Sequence, residues 1–177
     1  MPQPDRRTGD AERVDVAREQ VLRDAFALFA AGVTVISTQT RNGPYGTTVT
    51  AFAALSLRPP MVMTALHRTS QLAEHLRRSR RFGVSYLCEG QDDIAGRLAS
   101  SSKDCASVDW RELSGEQAVA GSAVFLAARA ERMQRAGDHY LITARVLDVH
   151  ILDQASAPLV YHSRAFGTLL RPSPIPV

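Results

Sequence analysis

The sequence predicts a mainly β protein with a few short helices, its strands joined into an antiparallel barrel that is either closed or split. Three observations carry this expectation. Apolar and β-branched runs recur along most of the chain, each bounded by turn residues. Successive runs are joined by tight turns, as antiparallel neighbours are, and not by the long helical crossovers that a parallel sheet requires. No GxGxxG segment opens a helix, so a parallel dinucleotide-binding sheet is not expected.

From about Val16 to Ala30, Leu22, Phe26 and Phe29 fall at i, i+4 and i+7 with Val21, Ala25 and Leu28 beside them, which predicts an amphipathic helix leading into the domain. Gly32 is expected to end it. Val33–Thr38 reads as a strand, and the Asn-Gly pair in RNGPYG predicts a turn that folds the next strand back beside it. That strand is the threonine-rich segment Gly46–Pro60, stopped by Pro59 and Pro60, neither of which can donate to a ladder. Met61–Leu66 resumes as an apolar strand. Ser70 is placed to cap a short helix, QLAEHLRRS, whose Leu72 and Leu76 lie one turn apart.

Phe82–Leu87 then reads as a strand, residues 91–99 as a second short helix and SSSKDCAS as a polar loop. Two long runs, Ala123–Met133 and His139–Leu152, form a second hairpin around Ala136, Gly137 and Asp138. Pro158–His162 is the last strand expected. The run AVFLAARA is apolar at successive positions and so needs cover on both faces, which a partner subunit would supply.

A chain of 177 residues with no interior Pro/Gly/Ser-rich stretch is expected to form one domain. Residues 1–15 and 171–177 read as flexible tails around a domain at 16–170. No apolar run is long enough to span a bilayer and the N-terminus lacks the hydrophobic stretch of a secretory signal, so no membrane association and a cytoplasmic location are expected. Cys88 and Cys105 make neither a metal pattern nor a disulfide framework; they read as reduced thiols, and no metal is expected. The net charge of +3 comes largely from Arg77, Arg78, Arg80 and Arg81. Lacking interleaved aromatics or a nucleic-acid motif, this run reads either as a solvated helix end complementing the dipole or as an attractor for an anionic ligand, and nucleic acid is not an expected partner.

The richest chemistry lies in Gly46–Pro60, GTTVTAFAALSLRPP. Thr47, Thr48, Thr50 and Ser56 offer oxygens to a phosphate or to ring heteroatoms, while Ala51, Ala53 and Ala54 leave room for a flat ligand to approach the backbone. A half-exposed strand whose threonines follow β-propensity has the same composition. Elsewhere no nucleophile paired with a base stands out, and Asp92 and Asp93, adjacent on a helix, point apart into solvent.

Taken in order, AAGVTVIST, GTTVTAFAALSLRPPMVM, HRTSQL, RRFGVSYL, GQDDIAGRLASSSKD with DW following, GDHYLITARV and PLVYHSRAFGTL resemble the small flavin reductases that serve two-component flavin monooxygenases, over about residues 20–170. The resemblance implies a split barrel of the FMN-binding type, a homodimer, and hydride transfer from NADH (or NADPH) to FAD (or FMN), with the reduced flavin passed to a partner monooxygenase or halogenase. It implies no catalytic side chain, because the chemistry belongs to the two cofactors. It places Thr48, Val49, Thr50 and Ala51 against the isoalloxazine, Ser56 and Leu57 towards the phosphate, Ala65, His67 and Arg68 along the ribityl and phosphate side, and Arg81 and Phe82 near the phosphate end. It assigns His139, in GDH, to the nicotinamide, and Arg164 with Phe166 to the segment that closes that pocket.

The chain departs from the family pattern at several positions. Members more often carry Ser or Asn at Ala51 and Ala53, Asn at Ser85, Gly at Ala144 and Tyr at Phe166. Lost hydroxyls imply a looser hold on the flavin phosphate, which suits a diffusible flavin. They also suit the alternative of a flavin- or haem-binding split barrel without reductase turnover.

Overall fold

The computed structural model describes residues 6–169. The expected tail residues 1–5 and 171–177 lie outside the described residues. Three helices and twelve strands are present among those described: α1 (Arg6–Ala27), β1 (Ala31–Gly32), β2 (Thr34–Thr40), β3 (Gly43–Val49), β4 (Phe52–Leu57), β5 (Pro60–His67), α2 (Gln71–Ser79), β6 (Arg81–Tyr86), α3 (Asp92–Ala99), β7 (Trp110–Leu113), β8 (Glu116–Val119), β9 (Val124–Ala136), β10 (His139–Ile151), β11 (Leu159–His162) and β12 (Ala165–Thr168).

The main sheet has seven antiparallel strands in the order β3-β2-β6-β9-β10-β5-β4. Its two edge strands, β3 and β4, are consecutive in the chain, so the expected single strand Gly46–Pro60 is broken at Thr50 and Ala51. There the Phe52 N–H donates to the Thr50 carbonyl and the Ala65 N–H to the Ala51 carbonyl, both at 3.0 Å. The sheet curls until its edges meet at this seam while the regular ladder lapses, which is a split antiparallel barrel. Register shifts between Thr143 and Ala144 and between Val146 and Asp148 supply bulges where long β10 bends around the barrel.

Local signals explain most elements. The β2–β3 hairpin turns at Arg41 and Asn42, with Gly43 at φ +110°, as the Asn-Gly pair predicts. Ser70 caps α2, its Oγ accepting from the Ala73 N–H at 3.1 Å, and Leu72, Ala73 and Leu76 are buried. They join Ile36, Val49, Val62, Leu66, Phe82, Val84, Leu126 and Ile142 in the barrel interior. A second cluster, including Val33, Val35, Leu87, Ala95, Leu98, Val119 and Leu159, packs the outside of the sheet against α3 and the small β1-β11-β12 sheet.

Three expectations are corrected. The first helix begins at Arg6 and ends at Ala27, so it reaches into the expected tail and stops short of Gly32, which lies in β1. Every described side chain of α1 except Ala27 is exposed, Leu22 and Phe26 among them, and Phe29 is exposed beyond the helix end, because the seven-stranded barrel already fills its own interior. The second face of β9 needs no partner subunit: the β7–β8 hairpin, absent from the sequence expectation, lays Ala118 and Leu113 over Phe125 and Ala127.

Candidate functional site

The seam organises the candidate site. Thr50 and Ala51 are exposed there, and Ala53, Ala54 and Ala65 add no bulk around them, leaving backbone accessible to a flat ligand. Beyond the seam β5 ends at His67, which stands directly opposite His139, the first residue of β10. Their rings pack edge to face, with centroids 5.3 Å apart and planes at 82°. Asp138 joins them: its Oδ1 accepts from His139 Nδ1 at 2.7 Å, and its Oδ2 lies 4.0 Å from His67 Nε2. The hydrogen bond from His139 is the chief reason that the Asp138 carboxyl is held below the usual carboxylate range. A carboxylate can only accept, so His139 carries its proton on Nδ1 and presents Nε2 as an acceptor when neutral.

Arg68 closes this end. Its backbone N–H donates to the Asp138 carbonyl at 2.9 Å and its Nη1 to the Gly137 carbonyl at 3.3 Å, while the exposed guanidinium keeps other donors in solvent. Thr50, Ala51, Ala65, His67, Arg68 and His139 thus lie along one continuous stretch of strand ends.

Other expected site residues make contacts within the chain away from this cluster. Thr48 donates to the Ala95 carbonyl at 2.7 Å and Thr47 to the Leu98 carbonyl at 3.2 Å, so their hydroxyl protons fasten α3 to the edge of β3. The Val49 side chain is buried in the barrel, leaving only its backbone for a ligand. Ser56 and Leu57 pair with Met61 and Pro60 at the opposite end of the β4–β5 hairpin. At a strand rise of about 3.3 Å per residue they stand roughly 20 Å from His67 along β5. Ser56 Oγ accepts from the Arg58 N–H at 3.2 Å, and Leu57 is 89% exposed.

Arg81 and Phe82 do not face the seam. Arg81 Nε donates to Glu116 Oε1 at 2.8 Å and Nη2 to the Ser114 carbonyl at 3.1 Å. Burial pushes the Glu116 carboxyl up, and Arg81 partly offsets this. Phe82 is fully buried and its ring is part of the barrel core. Arg164 pairs with Asp24, and the adjacent Ser163 N–H donates to the Ala27 carbonyl at 2.6 Å, so this turn anchors the end of α1. Phe166 packs on Tyr161 with centroids 5.4 Å apart. No hydrogen bond, ion pair or ring contact among the described residues joins Arg164 or Phe166 to His139.

Two of the departures noted in the sequence are structural. Ser85 is fully buried and its Oγ accepts from the Val119 N–H at 2.9 Å, tying β8 to the sheet, and Ala144 is core. The residue that sequence reasoning passed over is Asp138, read only as part of a turn. Its place between two histidines depends on the β5–β10 register, which no local motif specifies.

Fold and site together define a split antiparallel barrel of the kind that offers backbone, and few side chains, to a planar ligand. The profile of the flavin reductase like domain matches residues 26–170, and the chain belongs to that family. It is 32% identical over 155 residues to the reductase component of 4-hydroxyphenylacetate 3-monooxygenase from Thermus thermophilus, covering 88% of this chain and 99% of that one. The solved structure of a nitrilotriacetate monooxygenase component B homologue from Mycobacterium thermoresistibile superposes with a TM-score of 0.86 at 25% identity, covering 92% of this chain and 94% of that one. The Streptomyces globisporus NADH:FAD oxidoreductase SgcE6, solved with NAD and FAD fragments, gives a TM-score of 0.80 at 29% identity over 86% and 94% of the two chains.

The residues fit a flavin. The exposed seam is flanked by the small side chains of Ala51, Ala53, Ala54 and Ala65, and Arg68 supplies a cation within the same strand-end cluster. Among the described residues no group of acidic, histidine or cysteine side chains is arranged to hold a metal ion, and no helix is long and apolar enough to cross a membrane.

Proposed function

We propose that this protein is an NADH:flavin oxidoreductase that treats flavin as a diffusible substrate and supplies it, reduced, to a partner monooxygenase or halogenase. The observation that carries this reading is the adjacency of the open Thr50–Ala51 seam to the His67–Asp138–His139 cluster. When both substrates are bound, a hydride passes from the nicotinamide C4 to the flavin N5 and a proton from solvent completes the reduced flavin. The chain's own contribution is placement. Thr50 and Ala51 supply a floor of peptide groups, Arg68 a charge for a phosphate, and His139 Nε2 an acceptor suited to the carboxamide N–H of a nicotinamide.

A small number of polar contacts favours release of reduced flavin over its retention. The exposed apolar residues of α1, together with Leu147, Val149 and Ile151 on β10, support a homodimer as the working form. Anaerobic mixing of purified protein with NADH and excess FAD or FMN is expected to bleach the flavin absorbance. Absence of nicotinamide oxidation with either flavin and with either NADH or NADPH would reject the reading, and tightly co-purifying flavin without turnover would favour a carrier.

A further inference from the structure

The β2–β3 hairpin, α2 and the loop after α3 enclose a cleft of about 1080 Å³ that none of the roles above uses. Three aromatic rings wall it, those of Tyr45, His75 and Trp110. Tyr45 lies 5.7 Å from His75 between ring centroids. Trp110 is fixed by its indole N–H, which donates to the Cys105 carbonyl at 2.8 Å, and it lies so close over Gly46 that a Cβ there would come within 2.7 Å of the indole. Arg41, Arg78 and Lys103 bring positive charge into the same space. Lys103 Nζ donates once, to the Ser100 carbonyl at 2.8 Å, and Arg78 shares Glu74 at 3.0 Å. The single carboxylate on the wall, Asp104, accepts from the Ser107 N–H at 3.2 Å. Burial holds the Lys103 ammonium below its ordinary range, so an anion arriving beside it would be bound favourably.

Aromatic walls with an excess of cations suit a heteroaromatic base carrying phosphate. Position narrows the choice. Tyr45 is on the same strand that runs into the seam, about 17 Å from Thr50 at the usual strand rise, and Gln71, which lines the cleft, follows His67 by four residues. Resting on the reductase reading above, we propose that this cleft takes the adenosine-phosphate half of a dinucleotide whose reacting ring lies at the seam. FAD and NADH both carry that half.

Trp110 is the chain's sole tryptophan, so its fluorescence reports on the cleft without reference to activity. Titration with AMP and with ADP is expected to give a saturable change, weakened about tenfold in Lys103→Ala and in Arg41→Ala, each of which removes one charged contact. Flat titrations with both nucleotides, or a saturable change that neither substitution moves, overturn the inference.

A second arm identifies the source. If FAD occupies the cleft, Lys103→Ala raises the ratio of FAD to FMN dissociation constants, measured by equilibrium dialysis. If NADH occupies it, that ratio stays constant while the NADH KM rises. Loss of AMP binding with neither quantity altered also overturns the inference. Reduction of FMN by the unaltered protein is scored separately. Turnover without AMP binding removes only the cleft, whereas AMP binding without turnover removes only the reductase reading.

Discussion

His67 and His139 meet edge to face across the β5–β10 pairing, with Asp138 hydrogen-bonded to one ring and 4.0 Å from the other. Because Asp138 occupies Nδ1 of His139, the free nitrogen is Nε2, on the far side of the imidazole. His139→Ala is therefore expected to raise the nicotinamide KM about tenfold, the worth of one good polar contact, while the flavin KM stays within about twofold. Steady-state kinetics with each substrate varied in turn check this, and an unmoved nicotinamide KM takes His139 out of the site.

The same carboxylate gives a pH signature. Its folded-state pKa lies below the ordinary 3.8, chiefly through the hydrogen bond from His139. The stabilisation is complete above 3.8 and is lost as pH falls through the lowered value. Asp138→Asn is expected to unfold at lower urea than the parent at about pH 6, and the gap is expected to close towards about pH 3. A gap that widens in acid reverses the sign and refutes the assignment.

Arg81 separates a structural role from a ligand-binding one. Glu116 is almost fully buried and Arg81 is its ion-pair partner, with the arginine half in solvent. Removing it strands a buried carboxylate, at a cost of about 2 kcal/mol once solvent screening of the exposed partner is allowed for. Arg81→Ala should lower the thermal midpoint without changing flavin affinity, and adding Glu116→Gln should restore part of the loss. A raised flavin Kd at unchanged stability would return Arg81 to the site.

Gly83 carries a packing prediction. A Cβ there would lie 2.6 Å from the Phe125 ring, 2.7 Å from the Gln117 carbonyl and 2.8 Å from Ser37 Oγ. Two of these neighbours are backbone and a fully buried ring, which cannot easily yield. Gly83→Ala is expected to cost about 1–3 kcal/mol in chemical denaturation, and a neutral result would mean that β8 can move away from β6.

How much of this was legible in the sequence depended on how local the signal was. The Ser70 cap, the Asn-Gly turn and the long runs of β9 and β10 each announce themselves within a few residues, and each sits where expected to within a few positions. The β7–β8 hairpin did not, because WREL and EQAV are only four residues each and mix charge with apolar side chains. Long-range partners were equally hidden: Arg81 meets a residue 35 positions away and Arg164 one 140 positions away. Periodicity found the helix but ran it past its end at Ala27 to include Phe29, and it could not say what, if anything, in the same chain covers Leu22 and Phe26. At the candidate site, seam residues and histidines were visible as residue types, whereas Asp138 acquired meaning only through strand register.

The two peptide links at Thr50 and Ala51 do double service. The Ala51 carbonyl takes the Ala65 amide, which carries the β4–β5 pairing one residue further and latches the seam locally, while the Thr50 carbonyl takes the nearby Phe52 amide; the same groups would be the floor for a flat ring. A ligand that binds only the shut form makes unlatching costlier by the logarithm of its saturation, about 2.7 kcal/mol at a hundredfold excess over Kd. Slowing of deuterium uptake at the Phe52 and Ala65 amides would then gauge occupancy in the absence of any turnover.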